Sequence, residues 1–153
     1  MIHTVAGDGE EHTRGAGGPA LKAGLALPTG LAFTREGELL ITEGWSLNLG
    51  AVWEDGLTSR LLKLTTDGRL VRLAGRDNDA YDFTGDGGDA RLAEFNNPIG
   101  VAVDAEGRIF VTDSYNNRLR MLSPHVGPAP TPAPSEQPSA SPALTPAPAA
   151  SSL

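Results

Sequence analysis

The chain has 153 residues, a formal net charge of −7 and no cysteine. An acidic chain of this kind offers no basic surface to exchange counterions with a phosphate backbone or an anionic lipid, so nucleic acid and membrane surfaces are not expected partners. The missing cysteines exclude a disulfide framework, a thiol nucleophile and a cysteine-ligated zinc site.

The first residues, Met1-Ile2-His3-Thr4-Val5-Ala6-Gly7, have neither the basic start nor the apolar centre of a signal peptide. No apolar run approaches the ~18 residues of a membrane span. The compartment stays open; an extracytoplasmic one would follow if the chain were a fragment of a secreted or surface protein. Ile2–Ala6 reads as a lone strand, because Thr4-Val5-Ala6-Gly7 matches Arg72-Leu73-Ala74-Gly75 further on. On this reading the chain begins within a repeat unit.

A repeat at an offset of 70 then organises the chain. When Gly17–Glu43 is set beside Gly87–Asp113, ten of 27 positions are identical, among them Pro28/Pro98, Gly30/Gly100, Glu36/Glu106, Gly37/Gly107 and Thr42/Thr112. Internal self-similarity on this scale is the signature of stacked repeats. The apolar runs are short, rich in branched residues and bounded by Gly, Asp or Asn, which predicts strands. In order they are Gly30–Phe33 (strand a), Leu39–Thr42 (b), Leu61–Leu64 (c) and Leu70–Ala74 (d), then Gly100–Val103 (a), Ile109–Thr112 (b) and Leu119–Leu122 (c). Glu36-Gly37, Asp67-Gly68 and Glu106-Gly107 supply the hairpin turns.

The copies differ by an insertion between strands b and c of the first, around Trp45–Gly56, which carries both tryptophans. After Leu122 no fourth strand is expected. Nine of the 12 prolines lie in residues 123–153. That Pro/Ala/Ser-rich stretch has too few apolar residues to offset the entropy of ordering and is expected to be a disordered tail and spacer. The expected organisation is therefore residues 1–122 as a repeat region, with a first unit at about 28–75, a second at about 98–122 and the lone strand at 2–6, followed by the tail.

The second copy resembles the NHL repeat, in the form found in bacterial arrays and teneurin-like domains. The resemblance rests on Pro98-Ile99-Gly100-Val101-Ala102-Val103-Asp104, on Gly107-Arg108-Ile109-Phe110-Val111-Thr112-Asp113 and on Asn116-Asn117-Arg118. Thr4-Val5-Ala6-Gly7 and Gly85-Asp86-Gly87-Gly88-Asp89-Ala90 match the segments that precede such repeats. The first copy departs from the pattern, with Thr34 and Glu43 at the two Asp positions. The resemblance implies an all-β fold, a partial β-propeller of about two four-stranded antiparallel blades. It implies a structural blade motif at Gly30, Gly100, Asp104, Asp113, Asn117 and Arg118. It also implies a non-catalytic platform that binds protein or glycan through blade loops.

Asp113 ends strand b, where it can accept backbone N–H groups or pair with Arg118 across the b–c turn; a structural clamp is the expected role. Gly15–Ala20 and Gly85–Ala90 fit a dinucleotide-loop spacing, but no strand–helix–strand unit follows, so both read as inter-blade loops. Asp77, Asp79, Asp82, Asp86 and Asp89 are weak candidates for a Ca²⁺ site, set against a solvated acidic loop; no cofactor is expected. His3, His12 and His125 are scattered. Trp45 and Trp53 are the candidates for ligand contact, set against packing on their own blade.

One alternative is part of a lactonase- or lyase-like propeller enzyme using a divalent metal, with Glu43 a candidate member of its site. Another is a non-functional gene fragment. Two blades leave two outer faces bare, so the chain is expected to be a fragment of a larger propeller, to self-associate (for instance three copies closing six blades), or to pack as a small open domain.

Overall fold

The computed structural model describes residues 1–10, 12–44, 59–76 and 83–123. Their strands are β1 (Pro28–Phe33), β2 (Leu39–Glu43), β3 (Arg60–Leu64), β4 (Leu70–Ala74), β5 (Pro98–Val103), β6 (Ile109–Asp113) and β7 (Arg118–Leu122). Strands β1-β2-β3-β4 form one sheet and β5-β6-β7 a second, with each strand antiparallel to its neighbour. These are two successive blades of a β-propeller, an all-β architecture in which each blade is a small twisted sheet.

Local chemistry explains the meander. Gly37 and Gly107, at φ 81° and 79°, turn the first hairpin of each blade, and each donates its N–H back three residues, to the Thr34 and Asp104 carbonyls (both 3.1 Å). Both first strands enter through a bulge, between Pro28 and Gly30 and again between Pro98 and Gly100. Proline cannot donate to a ladder, so it sits where the pairing is already broken.

The repeat persists in space beyond the strands. Gly18 N–H donates to the Gly15 carbonyl (3.0 Å), as Gly88 N–H does to that of Gly85 (3.1 Å). Short 3-10 turns follow at Ala20–Lys22 and Ala90–Leu92. Leu27 and Asn97, again 70 apart, both adopt positive φ, 46° and 54°.

Strand alternation sends side chains to opposite faces of each blade. On one face of blade 1, Ile41, Leu62 and Leu70 pack with Ala20 and Ala23. Its other face contributes Leu40, Leu61 and Ala74 to a cluster shared with Phe95 and Val111 of blade 2. That cluster is the inter-blade core. The backbones also meet: a Cβ on Gly30 would lie 2.8 Å from the Ile99 carbonyl and 3.2 Å from Gly100 Cα. Beside this contact the Thr29 hydroxyl donates to the Pro98 carbonyl (2.9 Å).

One expected strand is not formed. Ile2–Ala6 has no strand partner among the described residues. Its docking is nonetheless that of β4. Gly7 N–H donates to the Ala20 carbonyl (3.0 Å), as Gly75 N–H does to that of Ala90 (3.1 Å). Ala6 packs on the Ala20/Ala23 cluster, while Ala74 is buried in the inter-blade cluster with Ala90 packed against it. The segment lacks a ladder because β4 has β3 to pair with, and no described strand offers residues 2–6 the same edge. The tryptophan insertion, Asp77, Asp79, Asp82 and the tail lie outside the described residues.

Candidate functional site

The second strands of the two blades end in carboxylates built into the same clamp. In blade 1, Ala26 N–H donates to Glu43 Oε1 (2.8 Å), and Arg60 holds Oε2 with Nε at 2.7 Å and Nη2 at 2.5 Å. Arg60 Nη1 also donates to the Thr13 carbonyl (3.0 Å). Both side chains are fully buried. In blade 2, Asn96 N–H, the counterpart of Ala26, donates to Asp113 Oδ1 (2.6 Å), while Asn116 Nδ2 and Arg120 Nη1 donate to Oδ2 (2.9 and 3.2 Å). A buried carboxylate needs a cation and several donors, and both have them. Their acceptor capacity goes to tying the end of strand b to the segment that leads into strand a and to strand c, and leaves nothing facing solvent.

The cation on Asp113 differs from the expectation. Arg118 is its direct cross-strand neighbour, yet the ion pair is made by Arg120. Arg120 is 8% exposed, donates also to the Glu94 and Thr84 carbonyls (3.1 and 3.2 Å) and reaches Asp86 Oδ1 at 2.7 Å. Its buried charge requires the carboxylate. Arg118 begins the strand, stays exposed, lies 3.5 Å over the Phe83 ring and donates to the Asn116 carbonyl (2.8 Å). In blade 1, the position of Arg120 on the strand is taken by Leu62, so the directly opposed Arg60 makes the contact.

The other motif residues occupy turns and close approaches. Asp104 accepts Glu106 N–H and Arg108 N–H (3.0 and 2.9 Å) and pairs with the Arg108 side chain. Burial pushes its carboxyl up, but the Arg108 guanidinium and the two amides outweigh that and hold it below its ordinary value of 3.8. Asn117, at φ 52°, closes the turn before β7. Gly30 and Gly100 lie at the point where the first strands of the two blades touch.

Of the five candidate calcium-binding aspartates, Asp86 and Asp89 lie among the described residues. Asp86 faces Arg120. Asp89 caps the Ala90–Leu92 turn, accepting Arg91 N–H (3.0 Å) and its guanidinium (2.9 Å), which holds the carboxyl below its ordinary value. Among the described residues no three His, Cys, Asp or Glu side chains gather as a metal site. His12 pairs with Asp8 at 3.0 Å.

A feature not read from the sequence is a groove of about 530 Å³ between the blades, at the end where the first hairpins turn. Apolar Leu73, Val103 and Ile109 and charged Arg35, Glu38 and Lys63 line it. Lys63 pairs with Glu38 at 2.7 Å. The groove can take an apolar side chain between charges of both signs. The two clamps could have been foreseen more fully. The 17-residue interval between amide and carboxylate recurs at Ala26/Glu43 and Asn96/Asp113, each with an arginine on the following strand.

Comparison with known proteins agrees with this construction. A family model described as the NHL repeat matches residues 95–121, which run from Phe95 of the inter-blade core to Met121 in β7. Teneurin-4 of Homo sapiens and teneurin-4 of Mus musculus are each 31% identical over 111 residues, 67% of this chain. The chain spans about 4% of the length of either. A crystal structure of a Bacteroides thetaiotaomicron protein of unknown function superposes with a TM-score of 0.54 at 24% identity, covering 67% of this chain and 22% of that one. The repeated clamp, the blade register and these similarities identify an NHL repeat at residues 95–121, set in a pair of propeller-type blades.

Proposed function

We propose that this chain is a non-catalytic recognition module that binds a segment of another protein through blade loops and the groove between the blades. The observation that carries the reading is the groove itself, whose apolar and oppositely charged lining comes from both blades. Such a cleft suits an apolar anchor residue flanked by polar ones, the usual anatomy of a small protein contact. The described carboxylates that resemble catalytic groups are engaged in structural bonds: Glu43 with Arg60, Asp113 with Arg120, Asp104 with Arg108. The family resemblance supports a binding role in the same direction. The tryptophans Trp45 and Trp53 are proposed as a second part of the binding surface.

The test is a selection of peptides from a random displayed library on the full chain. Binding of the selected peptides is then measured to Arg35→Glu, Lys63→Glu, Trp45→Ala and Trp53→Ala variants. The expected result is peptides with an apolar anchor whose affinity falls about tenfold, some 1.4 kcal/mol, on either charge reversal. Two results would overturn the reading: peptide binding indifferent to all four variants, or stoichiometric Ca²⁺ or Zn²⁺ binding accompanied by hydrolysis of a test lactone. Selective capture on a glycan array, without peptide binding, would replace protein by glycan.

A further inference from the structure

The two blades expose opposite faces. In β1, Leu31 and Phe33 are 65% and 69% exposed, while their counterparts Val101 and Val103 pack against the inter-blade core. On the far side of blade 2 the relation reverses. Leu119 lies opposite Thr112 as Leu61 lies opposite Thr42. Leu61 and Thr42 are fully buried, whereas Leu119 is 66% exposed and Thr112 is exposed too. The bare face of blade 2 thus carries the positions with which blade 1 grips blade 2. The outward face of blade 1 carries those with which blade 2 grips blade 1: Leu31 and Phe33 are exposed, while Ile41, Leu62 and Leu70 are covered by Ala20 and Ala23. The molecule displays both halves of an interface it already contains.

The strand edges tell the same story from the backbone. Among the described residues β7 has β6 on one edge and no strand on the other, where β3 has β4. Ile2–Ala6 is docked on its own blade 1 as β4 is docked ahead of blade 2, and lacks only the strand β4 pairs with.

We propose that a second copy of this chain fills both vacancies. Blade 1 of one copy packs on blade 2 of the next in the manner of the internal interface, and its residues Ile2–Ala6 become the fourth strand on that copy's β7. The internal ladder sets the register. Leu61, Leu62, Lys63 and Leu64 oppose Ala74, Arg72, Val71 and Leu70. Transferred, Leu119, Arg120, Met121 and Leu122 oppose Ala6, Thr4, His3 and Ile2 of the neighbour. The contact is head to tail, so it propagates until a ring closes. This inference is independent of what the groove binds.

The absence of cysteine allows a clean test. Directly opposed residues in an antiparallel pair have Cα atoms about 4.5–5.5 Å apart, within disulfide reach. His3→Cys and Met121→Cys are made separately in the full chain, mixed and oxidised, and each is also oxidised alone. Light scattering follows the native chain and Leu119→Lys. The proposal expects disulfide dimers in the mixture at least tenfold above either variant alone. It also expects a native mass at a discrete multiple of the monomer, with Leu119→Lys shifted toward monomer while keeping its sheet circular dichroism. A native chain that stays monomeric at the highest concentration reached overturns it. So does cross-linking no greater in the mixture than in the single variants. If Leu119→Lys fails to fold, the cross-linking alone decides, since both cysteine positions are exposed.

Discussion

Glu43 and Asp113 each hold an amide 17 residues earlier and an arginine from the next strand, and these bonds fix how strands a, b and c of each blade meet. Removing one member of a buried pair leaves the other charge without compensation, a cost of about 3–5 kcal/mol. Arg120→Met is therefore expected to lower stability by about that amount in urea unfolding, and Arg118→Met, at an exposed site, by under about 1 kcal/mol. A larger loss from Arg118→Met would return the clamp to that residue. The clamp role of Asp113 was legible because a strand-end Asp followed by a polar turn has few other uses. Its cation was not, because register alone favours Arg118, and burial under the Thr84–Glu94 segment is what selects Arg120. Leu27 shows the opposite case. It holds a φ of 46°, which its counterpart Asn97 adopts with less strain. Leu27→Asn is expected to raise stability by about 0.5–1 kcal/mol; a loss would mean that its partial packing outweighs the backbone strain. Asp104 sets a pH dependence. Its folded value lies below its ordinary 3.8, so its contribution is present above that value and fades as the pH falls through the lower, folded one. An NMR titration of the Asp104 carboxyl should give a midpoint below 3.8, moving up toward it in Arg108→Ala.

At the scale of elements, the strands were readable from short branched runs and Gly turns, and the observed bounds extend the expected ones by only one or two residues at an end. The extra residues have physical causes. Pro28 and Pro98 join through bulges, and Glu43, Arg60, Asp113 and Arg118 extend the ladders as directly opposed pairs. The reading of Ile2–Ala6 failed as a strand, although its sequence match to β4 was sound, because a strand is a property of a pair. The groove was invisible because sequence orders residues along blades, and Leu73, Val103 and Ile109 meet only once the blades pack. Gly30 tests that packing. A Cβ there meets backbone, the Ile99 carbonyl at 2.8 Å, whereas at Gly100 the nearest atom is the Thr112 hydroxyl at 3.0 Å. Gly30→Ala is expected to cost about 1–3 kcal/mol and Gly100→Ala clearly less, compared by thermal unfolding. Equal costs would mean that the blades do not approach at Gly30.

At the scale of the molecule, two blades share one core and leave apolar residues exposed on each outward face, Leu31 and Phe33 on blade 1 and Leu119 and Met121 on blade 2. Burying an exposed Leu or Phe side chain is worth about 1.5–3 kcal/mol. Leu31, Phe33 and Leu119 together therefore forgo an amount comparable with the stability of a small domain. The repeat at an offset of 70 makes this deficit legible in the sequence, since stacked units need neighbours on both faces. Which residues stay bare was legible in part: of the outward set Leu31, Phe33, Leu39 and Ile41, the first two are exposed, whereas Ile41 is buried against Ala20 and Ala23, a cover that the strand pattern alone does not show.

The propeller arrangement depends on the two repeats packing face to face, with their first strands in contact. The most direct measurement is a NOESY spectrum of the labelled chain. The expected result is cross-peaks between the Hα protons of Gly30 and those of Ile99 and Gly100, together with cross-strand contacts at Leu31/Ile41 and Val101/Val111. Intact contacts within each sheet, with no contact between Gly30 and either Ile99 or Gly100, would mean two separate sheets and would contradict the propeller arrangement.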